Sequence, residues 1–440
     1  MTRLDELAAF VCGASTVTLP VEERATQRRH FVDTTVAAVA GRGCRETIAL
    51  KGLFGDCLGD RMAHLAAAIR MTEIDDIHMP SCTTPSSVSV PVAWAMASAG
   101  HGNAQTVADA LWVGTEILAR LGAAVDGPHI LYREVWPTYL GAPLAAAATA
   151  ARMLGLNEVK TASALSIALT LTAGGSGRFR QDLSPRWFLH GMGVRSGYLA
   201  AKAAEAGYVG DTGLLDREWL DHSHGVALDL NRLFGGLGNG RSIYRELSLK
   251  PYSSAKQGIA AIEALLSIVA GGVAAESIRA VTVRVPPAYA GMIDAAGDRN
   301  NRATTFASVR FQMALAMFRP ESLFDVARDN MPWDEEMTAF AGKIKVEPWD
   351  DLASHYPTRW PASVVVDADG ESITRTMLDS PGDPECPLGD AAVAAKAHRV
   401  LDSMIGSDAC TAWLDAAAVA WDRGLRDPTA ARLGELLTVA

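Results

Sequence analysis

The stretch AQTVADALWVGTEILARL, residues 104–121, carries the pattern that decides the fold. Its small and apolar residues recur at the three- and four-residue spacing of one helix face: Val107, Ala110, Leu111, Gly114, Ile117, Leu118 and Leu121. Residues 21–40 repeat the pattern between a proline and a glycine, which are common helix start and stop signals. Residues 140–154 and 192–206 are crowded with alanine, so their helices can approach closely. The sequence therefore predicts a large all-helical domain.

The pattern changes in the second half of the chain. Residues 277–285 alternate apolar and polar side chains with many β-branched residues, which predicts a strand. Residues 363–377 predict a β-hairpin around an Asp-Gly turn, and a helix is expected at residues 303–317. Helical patterns return after residue 390. We expect a mainly α protein, with an all-helical domain of residues 1–270 and 386–440 and a smaller α+β lid domain of residues 271–385.

Length and composition limit the classes to which the protein can belong. A chain of 440 residues exceeds what one hydrophobic core usually supports, which favours two domains. The formal net charge of −10 argues against a nucleic-acid partner. Six scattered cysteines without close pairs predict neither a disulfide framework nor a metal site and suit a cytoplasmic protein. The apolar stretches at 140–151 and 259–275 are too short to span a membrane.

A short acidic segment is the first candidate for chemistry. Glu73, Asp75, Asp76 and His78 lie within six residues, and a Ser/Thr/Pro turn at residues 83–91 leads into an apolar run. Free N–H groups at a helix start suit an anionic ligand, and an imidazole beside carboxylates suits acid/base work. The alternative interpretation is that the acids only cap and solvate a surface loop.

Several segments, taken in order, resemble the MmgE/PrpD family, which includes 2-methylcitrate dehydratases, cis-aconitate decarboxylases and iminodisuccinate epimerases. The matching segments are residues 73–78 (EIDDIH), 114–122 (GTEILARLG), 189–197 (LHGMGVRSG), 250–252 (KPY) with the helix that follows, and 277–285. The resemblance covers nearly the whole chain. It implies a helical body with an inserted lid, a carboxylic-acid substrate, no cofactor and a homodimer.

Departures from the family are concentrated at its pocket positions. Where the family carries an aspartate, two histidines, a lysine and a lid tyrosine, this chain carries Glu73, Thr84, Trp136, Trp187 and Phe311. The resemblance therefore implies a pocket with more apolar surface and less charge, and a bulkier, less charged substrate.

These observations give a set of candidate site residues. The expected catalytic residues are His78, Asp75, Asp76 and His190. The expected substrate-binding residues are Glu73, Thr84, Trp136, Arg186, Trp187, Lys250, Lys256 and Phe311. For His190 the competing interpretation is a buried histidine with satisfied hydrogen bonds, and for His78 it is a loop imidazole paired with Asp75 or Asp76.

The leading expectation for function is a cofactor-independent dehydratase that acts on a small carboxylic acid. An epimerase, isomerase or decarboxylase of the same family is the alternative within enzymes. A non-catalytic binding protein on the family fold is the alternative from another class, favoured by the changed pocket positions.

Overall fold

A computed structural model describes residues 1–173, 185–294, 302–328 and 334–434. The structure is mainly helical (65%), with a small mixed sheet in the C-terminal half. The chain divides into two compact units, which we describe separately. Among the described residues, the larger unit holds 1–173, 185–247 and 389–434, and the smaller holds those between 248 and 388.

The larger unit is built from helices that run along most of its chain. Before residue 248 they are α1 (Arg3–Gly13), α2 (Val21–Gly41), α3 (Arg45–Leu50), α4 (Leu58–Met71), α5 (Ser86–Ser98), α6 (Ala104–Ala124), α7 (Gly127–Ile130), α8 (Pro137–Leu154), α9 (Glu158–Thr170), α10 (Pro185–Glu205), α11 (Trp219–His224) and α12 (Leu230–Phe234). The short strands β1 (Ile77–His78) and β2 (Leu247–Ser248) also belong to this half of the chain.

The smaller unit and the returning helices complete the chain. The elements of the smaller unit are α13 (Lys256–Ala270), β3 (Ile278–Val285), α14 (Pro287–Ile293), α15 (Arg302–Thr305), α16 (Val309–Phe318), α17 (Glu335–Gly342), β4 (Ile344–Pro348), β5 (Ala362–Ala368) and β6 (Glu371–Met377). The larger unit resumes with α18 (Asp390–Ile405), α19 (Ser407–Arg423) and α20 (Ala431–Gly434).

The predicted helices at 21–40 and 104–121 are confirmed as α2 and α6. The Asn103 side chain accepts a hydrogen bond from the backbone N–H of Thr106 and so fixes the start of α6. Small residues bring the helices close together, as the alanine content predicts. A Cβ at Gly114 would lie 2.0 Å from the Thr149 hydroxyl on α8, so α6 and α8 pack in near backbone contact.

The smaller unit contains a four-stranded sheet in the order β4-β3-β5-β6, with β3 and β4 parallel and the other pairs antiparallel. The predicted strand and hairpin are confirmed as β3, β5 and β6. Asp369 and Gly370 both have positive φ, which a tight hairpin turn requires. Helix α13 packs on β5 and β6, so the smaller unit begins at Ser248 rather than at residue 271.

None of the described helices has the length and apolar composition needed to cross a bilayer.

Candidate functional site

The acidic segment after α4 is buried. Glu73 has a positive φ of 53°, which turns the chain sharply after the helix. The exposed fractions of Glu73, Asp75 and Asp76 are 5%, 0% and 0%. Because three buried carboxylates need partners, a solvated surface loop is the wrong interpretation of this segment.

Two guanidinium groups approach Glu73. The Arg70 Nη1 atom lies 2.9 Å from Glu73 Oε2 and 3.4 Å from Asp75 Oδ1. The Arg186 Nη2 atom, from the first turn of α10, lies 3.4 Å from Glu73 Oε1. All four side chains are nearly inaccessible to solvent, so their charges interact with little screening.

Aromatic rings line the same cluster. Trp136 stacks on Tyr139 with ring centroids 5.5 Å apart, and the guanidinium of Arg186 lies 4.5 Å from the ring of Trp187 and 5.7 Å from that of Trp136. Burial raises the pKa of Tyr139, so its hydroxyl is protonated at neutral pH. That hydroxyl has no hydrogen-bond partner among the described residues. The two predicted tryptophans therefore lie beside the predicted arginine.

His190 adjoins this cluster through Tyr139, with ring centroids 5.4 Å apart. Its Nε2–H donates to the backbone carbonyl of Ser87 at 3.2 Å, while Nδ1 has no partner in the described part of the chain. Burial, reinforced by the Arg70 charge, lowers the pKa of His190 to about 3. The imidazole is therefore neutral, with an unused acceptor nitrogen rather than a fully satisfied ring.

His78 is also buried, with 3% of its surface exposed, but it has different partners from those expected. Its Nδ1 lies 2.8 Å from the Ser81 hydroxyl, and its Nε2 lies 3.5 Å from Oε2 of the half-exposed Glu246. The interaction with His78 lowers the pKa of Glu246. His78 and Glu246 thus form a carboxylate–imidazole pair, and pairing of His78 with Asp75 or Asp76 is not what the structure contains.

Asp76 turns in a third direction, toward the start of α5. It accepts hydrogen bonds from the backbone N–H of Ser86 (3.1 Å) and from its hydroxyl (2.5 Å), and His30 Nδ1 lies 2.9 Å away. The chain's own carboxylate therefore occupies the helix start that the sequence suggested for an anionic ligand. Thr84 lies beside it, buried, with its backbone N–H bonded to the Thr138 hydroxyl.

Three of the predicted binding residues belong to the smaller unit. Lys250 and Phe311 are buried there. Lys256 is buried in an ion pair, with Nζ 2.7 Å from Asp383 Oδ1 and 2.9 Å from the Ser380 hydroxyl. The positive charge of Lys256 is therefore already paired with a carboxylate of the protein, that of Asp383. Substrate binding by these three residues stays a prediction.

Sequence reasoning missed several residues of these clusters, among them Arg70, Tyr139, Glu246 and His30. Arg70 stands three positions before Glu73, and Tyr139 three positions after Trp136, so closeness in the sequence could have indicated both. Glu246 is far from His78 in the sequence, and no local signal predicts their contact.

Comparison with known proteins agrees with this architecture. Residues 62–223 match the MmgE/PrpD N-terminal domain, and residues 252–420 match the MmgE/PrpD C-terminal domain. A cis-aconitate decarboxylase-like protein, oryM of Aspergillus oryzae, is 33% identical over 160 residues. That alignment covers 34% of this chain and 33% of the relative, so the chain matches about a third of that protein's length.

The described residues form a mainly helical, two-unit protein with several buried clusters of charged side chains. The chain belongs to the MmgE/PrpD family. The family includes lyase-type enzymes, namely dehydratases and decarboxylases.

Proposed function

We propose that this protein is a cofactor-independent lyase that removes water from a small hydroxy carboxylic acid, with His78 as the proton-transferring group. The single observation that carries the proposal is the contact between Nε2 of the buried His78 and the carboxylate of the half-exposed Glu246. An imidazole that accepts a proton from carbon becomes positively charged. A carboxylate 3.5 Å away stabilises that charge.

The electrostatic surroundings of the two predicted histidines favour His78 over His190 as the base. His190 lies in the field of Arg70, which opposes a second positive charge in a buried site. We therefore assign His190 a positioning role, with its unused Nδ1 available to accept a hydrogen bond from a substrate hydroxyl.

Arg70 and Arg186 are the proposed ligands of the substrate carboxylate. Both guanidinium groups lie at Glu73, where a second carboxylate can share their N–H donors. The flanking rings of Trp136 and Trp187 add apolar contact surface beside that charge. The combination supports a substrate with a carboxylate at one end and an apolar or bulky group nearby.

The proposed reaction balances without a co-reactant. His78 takes the proton from the carbon next to the carboxylate, and the electron pair forms the double bond as hydroxide leaves the adjacent carbon. The proton then passes from His78 to the hydroxide, so water and an α,β-unsaturated acid are the products. Asp75 holds Arg70 in place, and Asp76 fixes the start of α5.

Decarboxylation is the second candidate, favoured by the name of the Aspergillus oryzae relative. Epimerisation is a further candidate, because it needs only the removal and return of a proton at carbon, with no leaving group. A binding protein without chemistry remains the alternative from another class, favoured by the pocket positions that hold Thr84, Trp136 and Phe311.

The test incubates the full-length protein with a panel of citrate-like and hydroxy acids in deuterated water, and follows each by NMR. Formation of an α,β-unsaturated acid, with deuterium at the α-carbon of hydroxy acid re-formed by the reverse reaction, supports dehydration. Release of carbon dioxide supports decarboxylation, and exchange or inversion alone supports epimerisation. Binding of an acid without any exchange would contradict an enzyme.

The residue assignment has its own test. His78→Ala should abolish turnover while the melting temperature stays within a few degrees of the parent, and the exposed His222→Ala should behave like the parent. Unchanged turnover in His78→Ala would reject His78 as the base. We also expect a homodimer, and light scattering that gives the mass of one chain would contradict it.

A further inference from the structure

A cluster of three metal-binding residue types lies at the turn between α18 and α19. His398 and Asp402 are one helical turn apart on α18, and Cys410 belongs to the first turns of α19. One donor atom from each side chain lies within 4.8 Å of the other two. The dehydration proposed above uses none of these residues.

We propose that His398, Asp402 and Cys410 bind one zinc ion and fasten helix α18 to helix α19. Imidazole nitrogen, carboxylate oxygen and thiolate sulfur are the three protein ligands that zinc uses. Three protein ligands leave one tetrahedral position open, and water from the exposed side of the cluster fills it.

The helix geometry supports a shared ion. Residues at positions i and i+4 lie on the same face of a helix, and His398 Nδ1 is 2.9 Å from Asp402 Oδ1. Gly406, with a φ of 84°, reverses the chain between the two helices and brings Cys410 back to that face. Zinc bond lengths of about 2.0–2.3 Å place tetrahedral ligands roughly 3.3–3.8 Å apart. The His398–Asp402 distance of 2.9 Å must therefore widen slightly, and no donor pair of the cluster, all within 4.8 Å, has to shorten by more than about 1 Å.

The exposure of two of the ligands leaves room for that change. Cys410 is fully buried and held by its surroundings, whereas the side chains of His398 and Asp402 are 32% and 40% exposed. The exposed pair can rotate toward the fixed sulfur, and the same exposure gives the ion a path of entry and a source of water.

The local charge also favours a cation. Within the described part of the chain, Asp402 forms no ion pair with a lysine or arginine, and its contact is with the His398 imidazole. The carboxylate charge therefore attracts a divalent ion, and the proton of the Cys410 thiol leaves to solvent when the ion binds.

Sequence spacing does not predict this site. The cysteines form no close pair, and the histidine and cysteine stand on different helices, so only the turn at Gly406 brings them together.

The experiment measures zinc bound to the full-length protein after chelator treatment and reduction, by equilibrium dialysis against zinc chloride. We expect about one tightly bound zinc per chain, and a rise in melting temperature that saturates with it. His398→Gln and Cys410→Ser should each lose that ion, whereas Cys386→Ser, at an exposed cysteine, should keep it.

Cobalt gives a second readout that depends on the sulfur. Co²⁺ should produce a thiolate-to-cobalt absorption band in the parent and in Cys386→Ser, and none in Cys410→Ser. If Cys410→Ser fails to fold, His398→Gln and Asp402→Asn decide the matter, since both positions are partly exposed. Zinc binding that is unchanged in His398→Gln, or absent from the parent, would overturn the proposal.

Discussion

The Nζ atom of Lys396 lies 2.7 Å from Asp33 Oδ1, in a buried contact between residues 363 positions apart in the sequence. The same ammonium donates to the backbone carbonyl of Ile74, which directly follows Glu73. Burial raises the pKa of Asp33, and Lys396 opposes that shift. This contact joins the returning helix α18 to α2 and to the segment that carries the buried acids.

Replacement of Lys396 by methionine should therefore destabilise the larger unit. The change leaves Asp33 buried without its cation, which typically costs about 3–5 kcal/mol. Urea unfolding measures the effect, with Arg423→Met as the control because the Arg423 side chain is 70% exposed in its pair with Asp427 and should contribute little to stability. Equal urea midpoints for the two variants would show that the Lys396–Asp33 pair does not stabilise the larger unit.

The lowered pKa of His190 makes stability depend on pH. Between about pH 6.5 and about pH 3, the unfolded imidazole binds a proton that the folded one does not. Stability should therefore fall as pH decreases through this window, by about 1.4 kcal/mol per pH unit from this group. Urea midpoints from pH 7 to pH 5 should decline less steeply in His190→Asn than in the parent. The control is His222→Asn at an exposed site. If the midpoints of His190→Asn decline as steeply as those of His222→Asn, the prediction is wrong.

Arg186→Met should weaken substrate binding more than it slows chemistry. Loss of a charge-assisted contact of about 1.5–3 kcal/mol corresponds to a rise in KM of roughly 10- to 100-fold. Steady-state kinetics on the acid found by the NMR panel measures the change. Lys202→Met, at a half-exposed position on the same helix, should leave KM unaltered. If KM in Arg186→Met matches that control, the guanidinium does not bind the substrate.

Glu246→Gln should lower kcat with little effect on KM. The amide keeps the size of the side chain but removes the negative charge that stabilises the imidazolium at His78, so we expect a fall of roughly 10- to 100-fold. The exposed Glu218→Gln is the matched control. A kcat equal to the parent value would show that Glu246 has no part in the proton transfer.

Gly382→Ala should destabilise the smaller unit. A Cβ at this position would lie 1.9 Å from the backbone oxygen of Leu249, and its φ of 94° is unfavourable for alanine. We expect a loss of at least about 2 kcal/mol in urea unfolding. Gly291→Ala is the control, because a Cβ there meets nothing within 4 Å. Similar unfolding free energies for both variants would show that the backbone around Gly382 can shift without loss of stability.

Local sequence patterns are sufficient for several elements, although the helix expected at residues 303–317 forms as two helices, α15 and α16. Helix α6 and the hairpin of β5 and β6 follow from the spacing of apolar residues and from the turn residues Asp369 and Gly370. The order of short motifs also indicates the family, and the two family matches confirm it.

Partner choice within the site was decided by the tertiary structure. The spacing of Asp75, Asp76 and His78 indicated one cluster, yet Asp75 pairs with Arg70, Asp76 caps α5, and His78 meets Glu246. The physical reason is that hydrophobic periodicity is a local property that fixes helices and strands. A buried charge is stabilised by whichever opposite charge the packing brings near, and packing brings together residues that are distant in the chain.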